Sequence, residues 1–175
     1  VLDRAFALLD ELKKAGYRVK IDDSDKSTGW KFSEQEILGI PTRIEIGPKD
    51  IEKNQVVVVR RDNREKIVVS LDEIATKLRD ILEQEQQDMY DRANDFLQSH
   101  IDTATTMDEM KEKFQANRGF VKACWCGDPE CEGEVKYVTG GAATRCLIED
   151  EEMISDKCIW CGKPAKHMAY WGKSY

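Results

Sequence analysis

Apolar residues recur at helical spacing over residues 1–15, where Leu2, Ala5, Phe6, Leu8, Leu9 and Leu12 share one side. Gly16 stands where a C′ glycine closes such a helix. The period then changes. Tyr17-Arg18-Val19-Lys20-Ile21 alternates apolar and polar, which predicts a strand. Residues 22–30 read as a polar loop. Ser33, with Glu36 three residues later, predicts a capping box on a short helix over 33–38, which Gly39-Ile40-Pro41 ends. Thr42-Arg43-Ile44-Glu45-Ile46 alternates as a second strand, and Gly47-Pro48 turns out of it. Val56-Val57-Val58-Val59-Arg60 is an apolar run of the kind found in central strands. Arg61-Asp62-Asn63-Arg64 is a turn, and Lys66-Ile67-Val68-Val69 returns to make a hairpin.

Ser70 and Glu73 form a second capping box, expected to open a long helix. Its apolar face runs from Leu71 through Ile74, Leu78, Ile81 and Met89 to Phe96 and Leu97. It is expected to pack on the sheet, with Met89 as core filler, and then to bridge to a following segment. Thr106 and Glu109 make a third box, on a short helix that Gly119 ends. Beyond Phe120, residues 134–138, 144–148 and 166–171 read as strands. The alternation of helix, glycine and strand at the start indicates an α/β fold.

The chemistry is concentrated near the C-terminus. Cys126 and Cys131 are separated by four residues, and Cys158 and Cys161 by two. Two close pairs joined by a longer excursion match the needs of a tetrahedral zinc ion, each pair giving two thiolates from one tight loop. Gly127 and Pro129 let the first loop turn back, and Gly162 permits a left-handed backbone after the second pair. A site closed by four cysteines has no open position, so this zinc is structural. Cys124 and Cys146 are expected to be small buried hydrophobes. Disulfides would need an oxidising compartment, which dense charge and the lack of a signal peptide argue against. A redox Cys-x-x-Cys would open a helix, whereas Lys163-Pro164 suits a turn. His167 is a minor candidate to replace one cysteine, and His100 reads as a surface residue.

Charge changes the picture only locally. The net charge of −7 argues against non-specific nucleic-acid binding by the whole surface. Basic residues nevertheless outnumber acidic ones from Arg43 to Lys66, and the reverse holds from Ser70 to Asp95. The 41% hydrophobic content can build a core, and no apolar run has the length of a membrane span. Asp23, Asp25, Ser27 and Glu34 nearly fit a calcium loop, but Thr28 stands where such a loop needs glycine. Residue 1 is Val and the first residues already look like mid-helix, so the chain reads as a fragment.

Ala15-Gly16-Tyr17-Arg18-Val19-Lys20-Ile21-Asp22-Asp23 and Gly39-Ile40-Pro41-Thr42-Arg43-Ile44-Glu45-Ile46-Gly47-Pro48-Lys49-Asp50 resemble the anticodon-binding domain of class II aminoacyl-tRNA synthetases. Val58-Val59-Arg60-Arg61-Asp62 is similar to the prolyl branch. Trp125-Cys126-Gly127 and Lys157-Cys158-Ile159-Trp160-Cys161-Gly162-Lys163-Pro164-Ala165-Lys166 resemble the C-terminal zinc domain of archaeal- and eukaryote-like prolyl-tRNA synthetases, as does a terminal Tyr175.

The resemblance implies a mixed five-stranded sheet flanked by helices, followed by a small α+β zinc domain. It places an anticodon-binding domain at 1–85 with its first strand missing, a helical connection at 86–119 and the zinc domain at 120–175. It implies a partner, the anticodon stem-loop of tRNA(Pro), and a ligase whose catalytic domain, with ATP and Mg2+, lies outside these residues. Nothing catalytic is expected here. A cytoplasmic homodimer is implied for the intact protein, with no membrane partner.

A proline anticodon presents two guanines, whose N1 and N2 donors suit a carboxylate and whose O6 and N7 suit Lys or Arg. Matching the family pattern, Glu36 is the candidate carboxylate, Arg43 and Lys49 are candidate donors, and Arg60 or Arg61 would hold phosphates. Glu36 could equally be only the N3 half of its capping box, and Arg43 a solvated face residue. Tyr175 is a hypothetical positioning element toward the absent catalytic site. Two other classes compete: a zinc-stabilised protein-interaction module without RNA specificity, and a thiol oxidoreductase with a reactive Cys158.

Overall fold

The computed structural model describes residues 1–116 and 119–174. It divides into two compact units, Val1–Asp91 and Arg92–Tyr175. Tyr175 lies outside the described residues, and so does the role expected of it.

The first unit begins with α1 (Leu2–Lys14). Gly16 has φ +91. There Gly16 N–H donates to Lys13 O, and Tyr17 N–H to Leu12 O, each at 3.0 Å. These two bonds are a Schellman closure, as the glycine predicted. Helix α2 spans Thr28–Ile37 and ends in the same way at Gly39. Strand β1 (Thr42–Glu45), the short α3 (Pro48–Glu52), β2 (Gln55–Arg60) and β3 (Lys66–Ser70) follow. The sheet order is β1-β2-β3, antiparallel throughout, with β2 central as its valines require. Helix α4 (Ile74–Ser99) comes next. Leu8 and Leu12 of α1, Val56 and Val58 of β2, and Leu78 and Ile81 of α4 share one core.

In the second unit the short β4 (Ile101–Thr103), α5 (Met107–Ala116) and β5 (Phe120–Trp125) form a parallel crossover. Helix α6 (Pro129–Thr139) and strands β6 (Ala142–Ile148) and β7 (His167–Lys173) complete it. The sheet order is β4-β5-β7-β6, parallel between β4 and β5 and antiparallel elsewhere, so the mixed pairing expected of the first sheet occurs in the second instead. Trp171 is fully buried among Val121, Ala123, Val135 and Ala169. The Thr106–Glu109 capping box is present, each residue's side chain accepting the other's backbone N–H at 3.3 Å.

Sheets flanked by helices make this an α/β protein, but several elements differ from expectation. Tyr17–Ile21 forms no strand. Tyr17 and Val19 do turn inward, but among the described residues no neighbouring strand offers them a ladder, so this sheet has three strands where the sequence pattern predicts four. Ser33 caps nothing, because α2 starts earlier, with Ser27 Oγ accepting the Trp30 N–H at 3.4 Å. Ser70 belongs to β3, and its hydroxyl accepts the Asp72 N–H in a turn that delays α4.

Residues 134–138 are helix rather than strand. Asp128 caps α6, Pro129 sits in its first turn and Gly140 closes it at φ +71, a set of signals stronger than the local alternation. Helix α3 was missed. Gly47 N–H donates to Asp50 Oδ2 at its start. Cys146 is exposed, because β6 is an edge strand with a bulge between Thr144 and Cys146. Met89, Tyr90, Phe96 and Leu97 are exposed on α4, so its apolar face is buried only as far as Glu85.

Two positions generate tests. Gly119 accepts no side chain, since a Cβ there would lie 1.7 Å from the His100 carbonyl oxygen. That same oxygen accepts the Phe120 N–H at 2.8 Å and joins β4 to β5. Gly119→Ala is therefore expected to cost about 3 kcal/mol or more in urea unfolding followed by tryptophan fluorescence. Glu85 is 2% exposed, and neither carboxylate oxygen has a hydrogen-bond partner. Burial raises its pKa, Asp62 raises it further, and Arg60 and Arg61 partly offset this. A raised folded pKa means stability that is present below the ordinary carboxylate range and lost as pH rises through the folded value. Glu85→Gln should thus raise the unfolding free energy at pH 8 by about 1–3 kcal/mol in urea titrations. The gain should fade toward pH 4.

Candidate nucleic-acid interface and metal centre

The first site lies where the end of α2 meets β1 and the β2–β3 turn. With α2 starting at Thr28, the helical period places Phe32 and Glu36 one turn apart on the same side. Arg43, on β1, donates from Nη1 to Glu36 Oε1 at 2.9 Å and from Nε to Glu45 Oε1 at 2.8 Å. Its guanidinium lies 3.9 Å over the Phe32 ring. Two carboxylates and an aromatic face therefore hold one arginine in a single orientation.

Arg61, at the start of the turn, is fixed through its backbone, its N–H donating to Pro41 O at 2.8 Å. Its Nε is buried without a hydrogen-bond partner. Arg64 is exposed, with Nη2 3.9 Å from Glu36 Oε2. Phe32, Gln35, Glu36, Pro41, Arg43 and Arg61 line a shallow recess. It joins a carboxylate acceptor, guanidinium donors and an aromatic ring, the groups that read an unstacked base.

Glu36, Arg43 and Arg61 thus come together, and Glu36 sits in the last turn of α2 rather than in a capping box. Lys49 is exposed on α3 and is not among the lining residues. Arg60 is 4% exposed and faces away, so it has no surface to offer a phosphate. Phe32, Gln35 and Arg64 were missed. Taking Ser27 rather than Ser33 as the cap of α2 brings Phe32 into the helix, one turn before Glu36.

The second site is the cysteine cluster. Cys126 follows β5, Cys131 lies in α6, and Cys158 and Cys161 occupy a knuckle before β7. Gly127 at φ +87 and Gly162 at φ +68 take the left-handed backbone that folds each loop back. The knuckle closes with Cys158 N–H to Lys163 O at 2.8 Å and Gly162 N–H to Cys158 O at 3.0 Å. Ile159 N–H to Cys124 O, at 2.9 Å, ties it to β5.

The four sulfurs all lie within 4.8 Å of one another, with Cys126–Cys131 at 3.6 Å and Cys126–Cys161 at 3.8 Å. Thiolates bound tetrahedrally at 2.3 Å would be about 3.8 Å apart, so the arrangement fits a metal ion. Burial pushes the Cys126 and Cys131 thiols up, while the Lys163 N–H brings Cys161 down to about 7. All six cysteines are free. His167 is outside the cluster, its ring packing 6.2 Å from that of Trp125, and His100 stacks on Phe96 at 4.1 Å.

Residues 1–81 match the family model of the anticodon binding domain, and residues 107–175 match that of the prolyl-tRNA synthetase C-terminal domain. The class of protein is therefore an anticodon-binding domain of the aminoacyl-tRNA synthetase kind, joined to a C-terminal domain. A proline–tRNA ligase of Lachnospira eligens is 53% identical over 175 residues, and one of Agathobacter rectalis 55% over 176. Each match takes in 100% of this chain and 36% of the relative, so the chain spans about a third of their length. A crystal structure of prolyl-tRNA synthetase from Cryptosporidium parvum, complexed with L-proline and AMP, superposes with a TM-score of 0.88 at 35% identity. That match covers 98% of this chain and 36% of the other. The chain belongs to the prolyl-tRNA synthetase family, as the C-terminal part of such a ligase. Among the described residues no helix is long and apolar enough to cross a membrane.

The cluster predicts a specific pattern of thiol reactivity. In the metal-free reduced chain Cys161 and Cys146, both exposed, are expected to react first with a maleimide. Adding zinc should protect Cys161 and leave Cys146 reactive. Cys131→Ser should remove that protection and lower zinc retained after dialysis at least tenfold, as elemental analysis would show.

Proposed function

We propose that the first unit reads the anticodon of tRNA(Pro) and that the second is held together by a structural zinc ion on Cys126, Cys131, Cys158 and Cys161. The observation that carries the RNA reading is the recess in which Glu36, Arg43 and Arg61 converge beside Phe32. Glu36 accepts from guanine N1 and N2. Arg43, already paired with Glu36, holds that carboxylate in place. Arg61 and Arg64 donate to base acceptors or to phosphates, and Lys49 adds a backbone contact from α3.

The proposed boundaries are an anticodon-binding domain at 1–85, a connection at 86–119 and the zinc domain at 120–175. In the intact protein, a cytoplasmic homodimer, a catalytic domain outside this chain attaches proline to the tRNA with ATP and Mg2+.

Exposed Met89, Tyr90, Phe96 and Leu97 on α4 support a second reading, a zinc-stabilised module that binds protein. Binding to a proline anticodon stem-loop, compared with the same loop carrying its two guanines replaced, separates the two. The first reading expects guanine-dependent binding. Glu36→Gln should cut the preference for guanine by about 10-fold or more. Lys49→Ala should weaken both loops alike and reduce the salt slope by about 1. A folded chain that binds neither loop leaves the interaction module.

A further inference from the structure

Arg60 and Arg61 are neighbours, yet a strand sends successive side chains to opposite faces. Arg61 goes to the recess. Arg60 goes inward, where its Nε and Nη2 donate to the two oxygens of Asp62 at 2.9 and 3.0 Å. Nη2 also donates to Asp88 Oδ2, on α4, at 2.6 Å. Asp88 Oδ1 in turn accepts from Gln84 Nε2 at 2.7 Å. Glu65 Oε2 stands 3.6 Å from Arg60 Nη1. The Asp62 side chain is 2% exposed, so this fork-to-fork pair is shielded from water and holds its geometry.

The same residue closes the turn through its backbone. Arg60 N–H donates to Glu65 O at 3.0 Å, and Arg64 N–H donates to Arg60 O at 3.1 Å. Arg64 is held at φ +62, a left-handed backbone that an arginine adopts only when its surroundings require it. The turn that carries Arg61 and Arg64 is thus pinned from behind, to α4, by one buried guanidinium.

We infer that Arg60, with Asp62 and Asp88, is a positioning group for base recognition: it sets where Arg61 and Arg64 stand relative to Glu36 without touching the RNA. The inference rests on the anticodon reading and adds a specificity determinant to it. Phosphate attraction acts at long range and tolerates a loose turn, whereas hydrogen bonds to a base edge do not. Loosening the pin should therefore lower discrimination between bases more than total affinity.

The test measures binding of the zinc-replete chain to the proline anticodon stem-loop and to the loop with its guanines replaced. Arg60→Lys keeps the charge and removes the fork. It is expected to reduce the guanine preference about 10-fold while binding to the replaced loop stays within about twofold. Asp88→Asn, at a partly exposed position, removes one arm of the pin with little risk to folding, and should reduce the preference about threefold. Asp88→Glu should restore most of it.

In an Arg64→Ala background Asp88→Asn should have a smaller effect, since one of the side chains it aims is gone. Equal losses on both loops, or strict additivity with Arg64→Ala, would overturn the positioning role. So would wild-type discrimination in both Arg60→Lys and Asp88→Asn. A wild-type chain that does not distinguish the two loops would instead overturn the anticodon reading, and this inference with it.

Discussion

Four cysteine sulfurs drawn to within 4.8 Å of one another are the constraint on which the second unit depends. They come from the end of β5, the first turns of α6 and the knuckle before β7. Three of the four cysteines are buried. Bringing four thiols together without a cation would confine groups whose charged forms repel. The proposed ion turns that repulsion into attraction and ties together the three segments that carry the cysteines. The apolar core built on Trp171 is then asked to fill space that the cluster has already bounded.

The first unit is held differently. Its core is aliphatic, with β2 at the centre and α1 and α4 contributing leucines and isoleucines. Its polar side is organised by arginines with separate tasks. Arg43 is oriented on the surface by Glu36, Glu45 and Phe32, whereas Arg60 is buried and joins the hairpin to α4. A buried guanidinium is tolerated because its donors meet Asp62 and Asp88. The opposite case is Glu85, which shares its neighbourhood and lacks a hydrogen-bond partner. The acidic excess along α4 is thus partly structural, since Glu85 is buried and the half-buried Asp88 is paired with Arg60.

Where the chain announced its elements by backbone chemistry, the reading succeeded. Gly16 and Gly39 close their helices at positive φ, and Thr106 with Glu109 makes a true box. It failed where two local signals competed. Ser27 displaced Ser33 as the cap of α2. At 134–138, Asp128, Pro129 and Gly140 fixed a helix that the local pattern disguised as a strand. Tyr17–Ile21 had the alternation but no partner, and a strand exists only with a ladder.

The recess was half legible. Glu36, Arg43 and Arg61 could be named from their residue types and the family pattern, but the partnership of Arg43 with Phe32 needed the register of α2.

The sequence by itself determined the period of each helix, the central place of β2 and the two cysteine pairs, because these follow from spacing and from single residues. Only the tertiary structure decided that the pairs converge. It also gave the buried Arg60 a partner on α4, Asp88, and it left Cys146 at an open sheet edge. The physical reason is common to all three: burial and distance depend on which segments meet, and segments far apart in the chain carry no local signal of their meeting.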